Sequence, residues 1–238
     1  MNTSYKNSIF SLLLFLCFSS IFAQDSHTIS ETKTRHLEDT IGFPQYKWQL
    51  DSIISRMDPE DRLVSEEISK AVICPHDDYS YSAGLYMKTL AGIKAKTIIL
   101  IGVAHRARNF ELKDKLIFGS YENWESANGT VKVSALRDEL ISKLPKDSYV
   151  VHNEMMQLEH SLEAIVPFLQ YSNPAVEILP ILIPYNSFES LELFSDQVAS
   201  ALAEIMKNKN LKYGKDLAVI ISSDAIHYGD EDWGSSNL

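Results

Sequence analysis

Cysteine is almost absent from this sequence. The chain of 238 residues contains two cysteines, Cys17 and Cys74, and no CxxC pair. Cys17 lies in a segment that we expect to be removed, and a single remaining cysteine excludes an intramolecular disulfide. Cys74 lies within an apolar run, which is typical of a buried, inert thiol, with a metal-ligand role as the alternative. The stability of the fold must therefore come from its hydrophobic core.

Basic residues are also scarce. The chain has 22 Lys and Arg against 32 Asp and Glu, which gives a formal net charge of -10. A nucleic-acid-binding protein needs a basic face to neutralise phosphates, so the composition excludes nucleic acid as the partner. The sequence also lacks a glycine-rich phosphate loop and an internal repeat. Its 45% apolar and 23% charged residues suit a globular protein with one sizeable core.

The first residues have the pattern of a targeting segment. Lys6 supplies a positive charge, and residues 9–22 form an apolar run that is short for a membrane span. Ala23 then offers a small residue at a cleavage site. We predict that residues 1–23 are a cleaved secretory signal, that the protein is exported to the periplasm or the cell exterior, and that it keeps no stable membrane insertion. An uncleaved anchor is the alternative.

The rest of the sequence predicts a leader and one domain. Residues 24–44 are polar without clear periodicity and are typical of a leader or linker, so we place the domain at residues 45–238. Within it, four apolar runs alternate with helical patterns, which predicts a single α/β domain with a central, mostly parallel sheet flanked by helices. The predicted strands cover 71–74, 98–103, 178–183 and 217–221, and the predicted helices include 85–90, 135–143 and 191–206.

Histidines follow the predicted strands where each strand ends. His76 follows the first run, His105 follows the second, and Asp224 and His227 follow the last. Because ligands of open α/β sheets sit outside the carboxyl ends of the strands, we expect these side chains to share one pocket. Histidine with carboxylate suits iron, zinc or manganese, and two histidines with one carboxylate suit non-haem Fe(II). The alternatives are ordinary loop histidines and, for Asp224, a helix cap.

A second candidate group lies further along the chain. Glu159 and Glu163 are four residues apart, which places them on one face if the segment is a helix. His160 is adjacent to Glu159, so we predict a proton-transfer pair in which the carboxylate orients the imidazole. Pro167 falls inside the same pattern, and it predicts that the helix is kinked or begins late.

Four motifs occur in order along residues 65–229. They are Pro75-His76-x-x-Tyr79-Ser80-Tyr81-Ser82-x-Gly84, Ile101-Gly102-x-x-His105, Glu159-His-Ser-Leu-Glu163 with Pro167-Phe-Leu-Gln170, and Ser222-Ser-Asp-x-x-His-Tyr-Gly229. Together they resemble the Memo family, also called AmmeMemoRadiSam system protein B, which is similar in fold to the class III extradiol dioxygenases. The resemblance implies an iron or copper site built on His76 and His105, with His160 as an acid/base.

The sequence departs from the family pattern in three places. Asp78 stands where the family usually has glycine, and Ile226 stands where some members have a metal-binding cysteine. The third ligand is therefore open among Asp224, His227 and Glu159. Family members usually continue well past the last motif, whereas this chain ends at Leu238, so we expect a fragment or a shortened member.

The leading hypothesis is an exported, Memo-like metal-binding protein. Its metal is iron (Fe²⁺), with copper or zinc as alternatives, and its chemistry is that of a non-haem iron dioxygenase or other oxidoreductase acting on an unknown small molecule. A non-catalytic module that binds metal or a protein partner is one alternative. A zinc-dependent hydrolase, in which the metal activates a bound water, is the other.

Overall fold

Helices and strands alternate along the chain. The computed structural model describes residues 33–62 and 65–224. Its strands are β1 (Thr34–Arg35), β2 (Ala71–Cys74), β3 (Thr97–Val103), β4 (Leu116–Phe118), β5 (Asn123–Ser126), β6 (Gly129–Val133), β7 (Tyr149–Val151), β8 (Glu177–Ile183) and β9 (Leu217–Ser222). Its α-helices are α1 (Lys47–Arg56), α2 (Tyr79–Leu90), α3 (Leu136–Lys143), α4 (Asn153–Leu158), α5 (Val166–Ser172) and α6 (Phe188–Lys209). Within these residues no helix is both long and apolar enough to cross a membrane.

The described strands belong to one sheet. Its main path runs β1-β5-β6-β8-β3-β9-β2, and β4 joins it through β8 and carries β7. Strands β8, β3, β9 and β2 are parallel, whereas β5 and β6 form an antiparallel hairpin that turns at Ala127-Asn128. All described residues lie in one compact unit. The predicted single α/β domain with a mostly parallel sheet is therefore confirmed.

Side-chain alternation along β3 shows how both faces of the sheet are covered. Ile98 and Leu100 point to one face and Ile99 to the other, because successive residues of a strand face opposite sides, and all three are 0% exposed. The first face packs on helices α1, α2 and α5 through Leu50, Tyr86 and Phe168. The second packs on α3 and α6 through Leu140, Leu202 and Ile205.

The parallel register brings three strand ends to one edge. Cys74 of β2 is paired with Ser222 of β9, and Ile221 of β9 is paired with Ile101 of β3. The carboxyl ends of the three strands therefore lie side by side. The edge they form positions the side chains that follow each strand.

Helix α2 begins earlier than the sequence predicts, and α5 begins late, which is one of the two alternatives that Pro167 predicts. Helix α2 starts at Tyr79 rather than at residue 85, because the Asp78 side chain accepts a hydrogen bond from the Ser80 N–H and caps the helix. Residues 159–163 are not helical, and α5 begins at Val166 with Pro167 in its first turn. A proline is tolerated there because that N–H needs no intrahelical partner.

The described part of the predicted leader packs on the domain. Strand β1 pairs with β5, and Arg35 within it is fully buried. Residues 38–43 continue across the edge of the sheet where the histidines lie. The predicted signal segment, residues 1–23, lies outside the described residues.

Candidate metal centre

Three histidines meet at the carboxyl edge of the sheet. His76 and His105 each stand two residues beyond the end of a strand, β2 and β3, and His160 stands two residues beyond the end of α4. One ring nitrogen from each lies within 4.8 Å of the other two. The His105 and His160 rings are stacked with centroids 4.9 Å apart, and the His76 ring stands edge-on to both. The three side chains could hold a metal ion.

A buried serine fixes the orientation of the His76 ring. The Ser222 hydroxyl donates to the backbone oxygen of Ser161 at 2.6 Å, so its oxygen is left to accept from Nδ1 of His76 at 2.8 Å. A hydroxyl has one proton to donate. Nδ1 of His76 therefore carries the ring proton, and Nε2 presents its lone pair, which is the form that binds a metal.

A buried carboxylate fixes the His105 ring in the same way. Glu159 Oε1 accepts from Nδ1 of His105 at 2.9 Å, while Glu159 Oε2 accepts from the His105 backbone N–H at 2.7 Å. The other nitrogen of His105, Nε2, faces the cluster. This is the arrangement in which a carboxylate behind a ligand histidine sets its tautomer and raises its basicity.

Glu159 lies behind the centre rather than within it. Its side chain is 1% exposed, and it also accepts from the Ser161 N–H. Burial opposes its ionisation, but the hydrogen bond and charge of His105 hold the pKa of Glu159 below its ordinary value. The sequence pairs Glu159 with His160; in the structure the closest Glu159 oxygen lies 3.7 Å from His160 Nδ1, against 2.9 Å from His105 Nδ1.

Asp224 approaches the same space from the end of β9. Its Oδ2 lies 3.7 Å from Nε2 of His76 and 3.5 Å from Nε2 of His105. Burial opposes ionisation here too, yet the neighbouring histidines hold the pKa of Asp224 below its ordinary value. Asp224 therefore lies beside the histidine cluster, where its carboxylate could add an oxygen ligand. His227 and Ile226 lie outside the described residues.

The environments of His76 and His105 push their pKa values in opposite directions. His76 is 4% exposed, and burial, with the nearby charges of His105 and His160, lowers its pKa to about 4. The hydrogen bond from His105 to Glu159 raises the pKa of His105. His76 is thus neutral at neutral pH, whereas His105 retains its proton more readily.

A cavity of about 490 Å³ opens beside the centre. His76 and His160 line it, together with Phe43, Arg106 and the segment 38–41. The Phe43 ring is stacked near His160 with centroids 6.4 Å apart. The lining thus combines the Phe43 ring and one cation with four acidic residues, Glu38, Asp39, Asp77 and Asp78.

The family model for Memo-like proteins matches residues 44–234, which is most of the chain and includes all three histidines. This chain belongs to the Memo family. The predicted resemblance is therefore confirmed, and in this Memo-family chain the four motifs of the sequence carry the residues of the centre and its supports.

Curated relatives of this Memo-family chain come from archaea. A MEMO1 family protein of Methanothermobacter thermautotrophicus is 30% identical over 169 residues, which cover 68% of this chain and 56% of the relative. One from Ignicoccus hospitalis is 31% identical over 181 residues, covering 73% and 58%. One from Caldivirga maquilingensis is 27% identical over 191 residues, covering 77% and 62%. The match thus spans little more than half the length of these relatives.

Sequence reasoning overlooked several supports of the centre. Ser222 belongs to the last motif and follows an apolar run, but nothing in its spacing assigns it to His76. The wall at 38–43 has no periodic pattern. His152 is half-buried, and its ring accepts from the Met155 N–H at the start of α4.

Proposed function

We propose that this protein is an exported metalloprotein whose centre consists of His76, His105 and His160, with Asp224 as a fourth ligand. The observation that carries the proposal is the convergence of three histidine nitrogens within 4.8 Å of one another. Imidazole nitrogens that share a metal lie about 2 Å from it and so roughly 3–4 Å apart. Small side-chain adjustments bring the three rings to that spacing.

The ligand set favours iron. Imidazole with carboxylate suits Fe(II), and a site with open positions would let the bound metal bring a substrate and dioxygen together. The adjacent cavity has room for a small molecule, with Phe43 offering an apolar contact and Arg106 a cation for an anionic group. We therefore propose oxidoreductase chemistry of the dioxygenase type on a small-molecule substrate. Ser222 and Glu159 would keep the ligand rings oriented throughout.

A zinc-dependent hydrolase is the second candidate function. Three histidines that leave one position for water form a catalytic zinc site in some enzymes, where the metal lowers the pKa of that water to about 7. The three-histidine cluster supports this reading as well. Metal analysis of protein purified without oxygen distinguishes iron from zinc, and oxygen uptake with a panel of phenolic substrates distinguishes an oxygenase from a non-catalytic binder.

Histidine variants test the centre directly. We expect His76→Ala, His105→Ala and His160→Ala to lose stoichiometric iron in calorimetric titrations while circular dichroism shows a retained fold, because each removes one ligand. His36→Ala is the matched control, since His36 is an exposed histidine whose ring lies beside Glu125 rather than in the cluster, and it should keep its iron.

Two outcomes would change the assignment. Unchanged iron affinity in both His76→Ala and His105→Ala would refute the metal centre. If His160→Ala keeps its metal but turnover falls about 10²–10⁴-fold, His160 is the general acid/base that the sequence suggests.

Export is the remaining part of the proposal. The apolar run at 9–22 followed by Ala23 supports it. The intact mass of the mature chain tests it.

A further inference from the structure

Arg35 is a cation buried to 0% exposure. Its Nη1 lies 2.6 Å from Oε2 of Glu163, whose side chain is 3% exposed. The guanidinium also lies over the ring of Trp124, 4.4 Å from the ring centroid. Arginine is almost never fully buried unless it is paired, and here Glu163 is the paired carboxylate.

The remaining N–H groups of Arg35 bind the end of α4. Nε donates to the carbonyl of Met156 at 2.8 Å, and Nη2 donates to those of Gln157 and Glu159 at 3.0 and 2.7 Å. The last carbonyls of a helix lack intrahelical partners, and the planar guanidinium can bind several of them at once. Arg35 thereby fixes the segment that leads into Glu159 and His160.

Glu163 extends the same network to the cavity wall. Its carboxylate accepts from the backbone N–H groups of Glu38 at 3.1 Å and Asp39 at 3.1 Å. Both residues line the cavity beside His76 and His160. The ion pair therefore connects the wall of the cavity to the loop that carries one histidine of the cluster.

We propose that Arg35 is a positioning residue, which through Glu163 and the carbonyls of α4 sets the place of His160 and of the wall at 38–43. The inference rests on the proposed function in so far as His160 is a metal ligand. Arg35 lies before residues 44–234, which the family model matches. Cleavage after residue 23 would leave Arg35 in the mature chain.

The test uses a double variant, Arg35→Met with Glu163→Gln. Removing Arg35 alone would leave the Glu163 carboxylate buried without a cation beside it, which can unfold the protein. The double variant removes both charges and keeps one acceptor for the N–H groups of the wall. Arg137→Met is the matched control, because Arg137 is also buried and donates to the carbonyls of Gly119 and Tyr121.

The His160 ring signals and Co²⁺ binding are then measured on the variants that unfold cooperatively and are therefore folded. In metal-free protein, the ring ¹H–¹⁵N signals of His160, assigned with His160→Ala, should shift in the double variant and stay in place in Arg137→Met. The Co²⁺ affinity should fall about 10–100-fold in the double variant, with altered Co²⁺ absorption bands, as expected when a support of a ligand is lost. Arg137→Met should keep both the affinity and the bands.

The outcomes separate this inference from the proposed function. Unchanged His160 signals in a folded double variant would overturn it, and so would unchanged Co²⁺ affinity and bands. If the unaltered protein binds no Co²⁺, the metal centre fails instead, and the His160 signals still decide whether Arg35 positions that ring. Should the double variant not fold, Arg35→Lys replaces it, since lysine keeps the charge beside Glu163 but loses the planar fork.

Discussion

At the scale of single residues, the two strand-end histidines are held by acceptors of different charge. Ser222 is a neutral acceptor behind His76, whereas Glu159 is a carboxylate behind His105. Burial, with the nearby charges of His105 and His160, lowers the pKa of His76 to about 4, whereas the carboxylate behind His105 raises the pKa of His105. One ligand is thus ready for a metal at any pH near neutrality, and the other competes for a proton.

Ser222→Ala tests the first of these supports. The variant removes the acceptor behind His76, so the Nδ1 proton loses its partner and the ring is free to change tautomer. We expect iron affinity to fall about tenfold or more by calorimetry, in line with losses at supporting residues of other metal sites. Ser223→Ala is the control, because Ser223 adjoins Ser222 and its backbone N–H bonds to the Cys74 carbonyl, a bond that alanine keeps. Equal iron affinity in the two variants would contradict the role of Ser222.

The raised pKa of His105 predicts a pH dependence for metal binding. A metal binds neutral imidazole, so His105 must release its proton first. Because its pKa lies above the ordinary value of 6.5, affinity should weaken as the pH falls through the raised pKa, by about tenfold per pH unit for one proton. His76 adds no dependence in this range, since it is already neutral. Titrations between pH 5.5 and 8.5 measure the effect.

A Glu159→Gln variant supplies the check on that prediction. Loss of the carboxylate lowers the pKa of His105, so the pH at which affinity declines should move downward. Glu204→Gln, at an exposed pair with Lys143, should leave it in place. A midpoint that stays fixed or rises in Glu159→Gln would show that another group controls the dependence.

At the scale of elements, the sequence predicts the histidines at the strand ends but not the turn at 159–163, which carries His160. His76, His105 and Asp224 each stand two residues beyond a buried parallel strand, so apolar runs and sheet topology suffice to bring them together. His160 follows no strand. The spacing of Glu159 and Glu163 suggests a helix, but Glu159 turns inward to bind His105, and the Ser161 hydroxyl donates to the Val103 carbonyl. Such tertiary contacts override a local pattern.

Gly102 of β3 explains how closely this turn packs on the sheet. A Cβ at Gly102 would lie 2.4 Å from Leu162 Cδ2 and 2.7 Å from Ser161 Oγ. Leu162 is fully buried and has little room to move. Gly102→Ala should therefore lower the free energy of unfolding by about 1–3 kcal/mol and displace the turn that carries His160, with iron affinity about tenfold weaker.

A second glycine provides the control for that prediction. A Cβ at Gly92 would lie 2.4 Å from Ser69 Oγ, in a comparable crowding away from the histidines. Gly92→Ala should lose stability in chemical denaturation while its iron affinity is unchanged. A Gly102→Ala variant that is destabilised and still binds iron as tightly as the unaltered protein would show that the packing of the turn on β3 does not affect the metal centre.

At the scale of the whole molecule, the sequence predicts the domain better than its N-terminal boundary. Polar residues without periodicity at 24–44 favour a solvated leader, yet Arg35 is buried. Its partners, Glu163 and the carbonyls of α4, lie far away in the sequence. A single sequence contains no local signal for such a pairing. The core strands, by contrast, are predictable because each is an uninterrupted apolar run.

The proposed export also predicts the intact mass of the mature chain. Cleavage after Ala23 gives a chain that starts at Gln24 or nearby and retains one cysteine. Cys74 is 0% exposed, and burial raises the pKa of its thiol to about 12, so it should resist iodoacetamide in the folded protein and react after denaturation. The intact mass should therefore show the shortened chain without a disulfide and gain one label only in denaturant. A secreted chain that retains Met1, or one labelled while folded, would refute the cleavage or the burial respectively, and each result is independent of the metal.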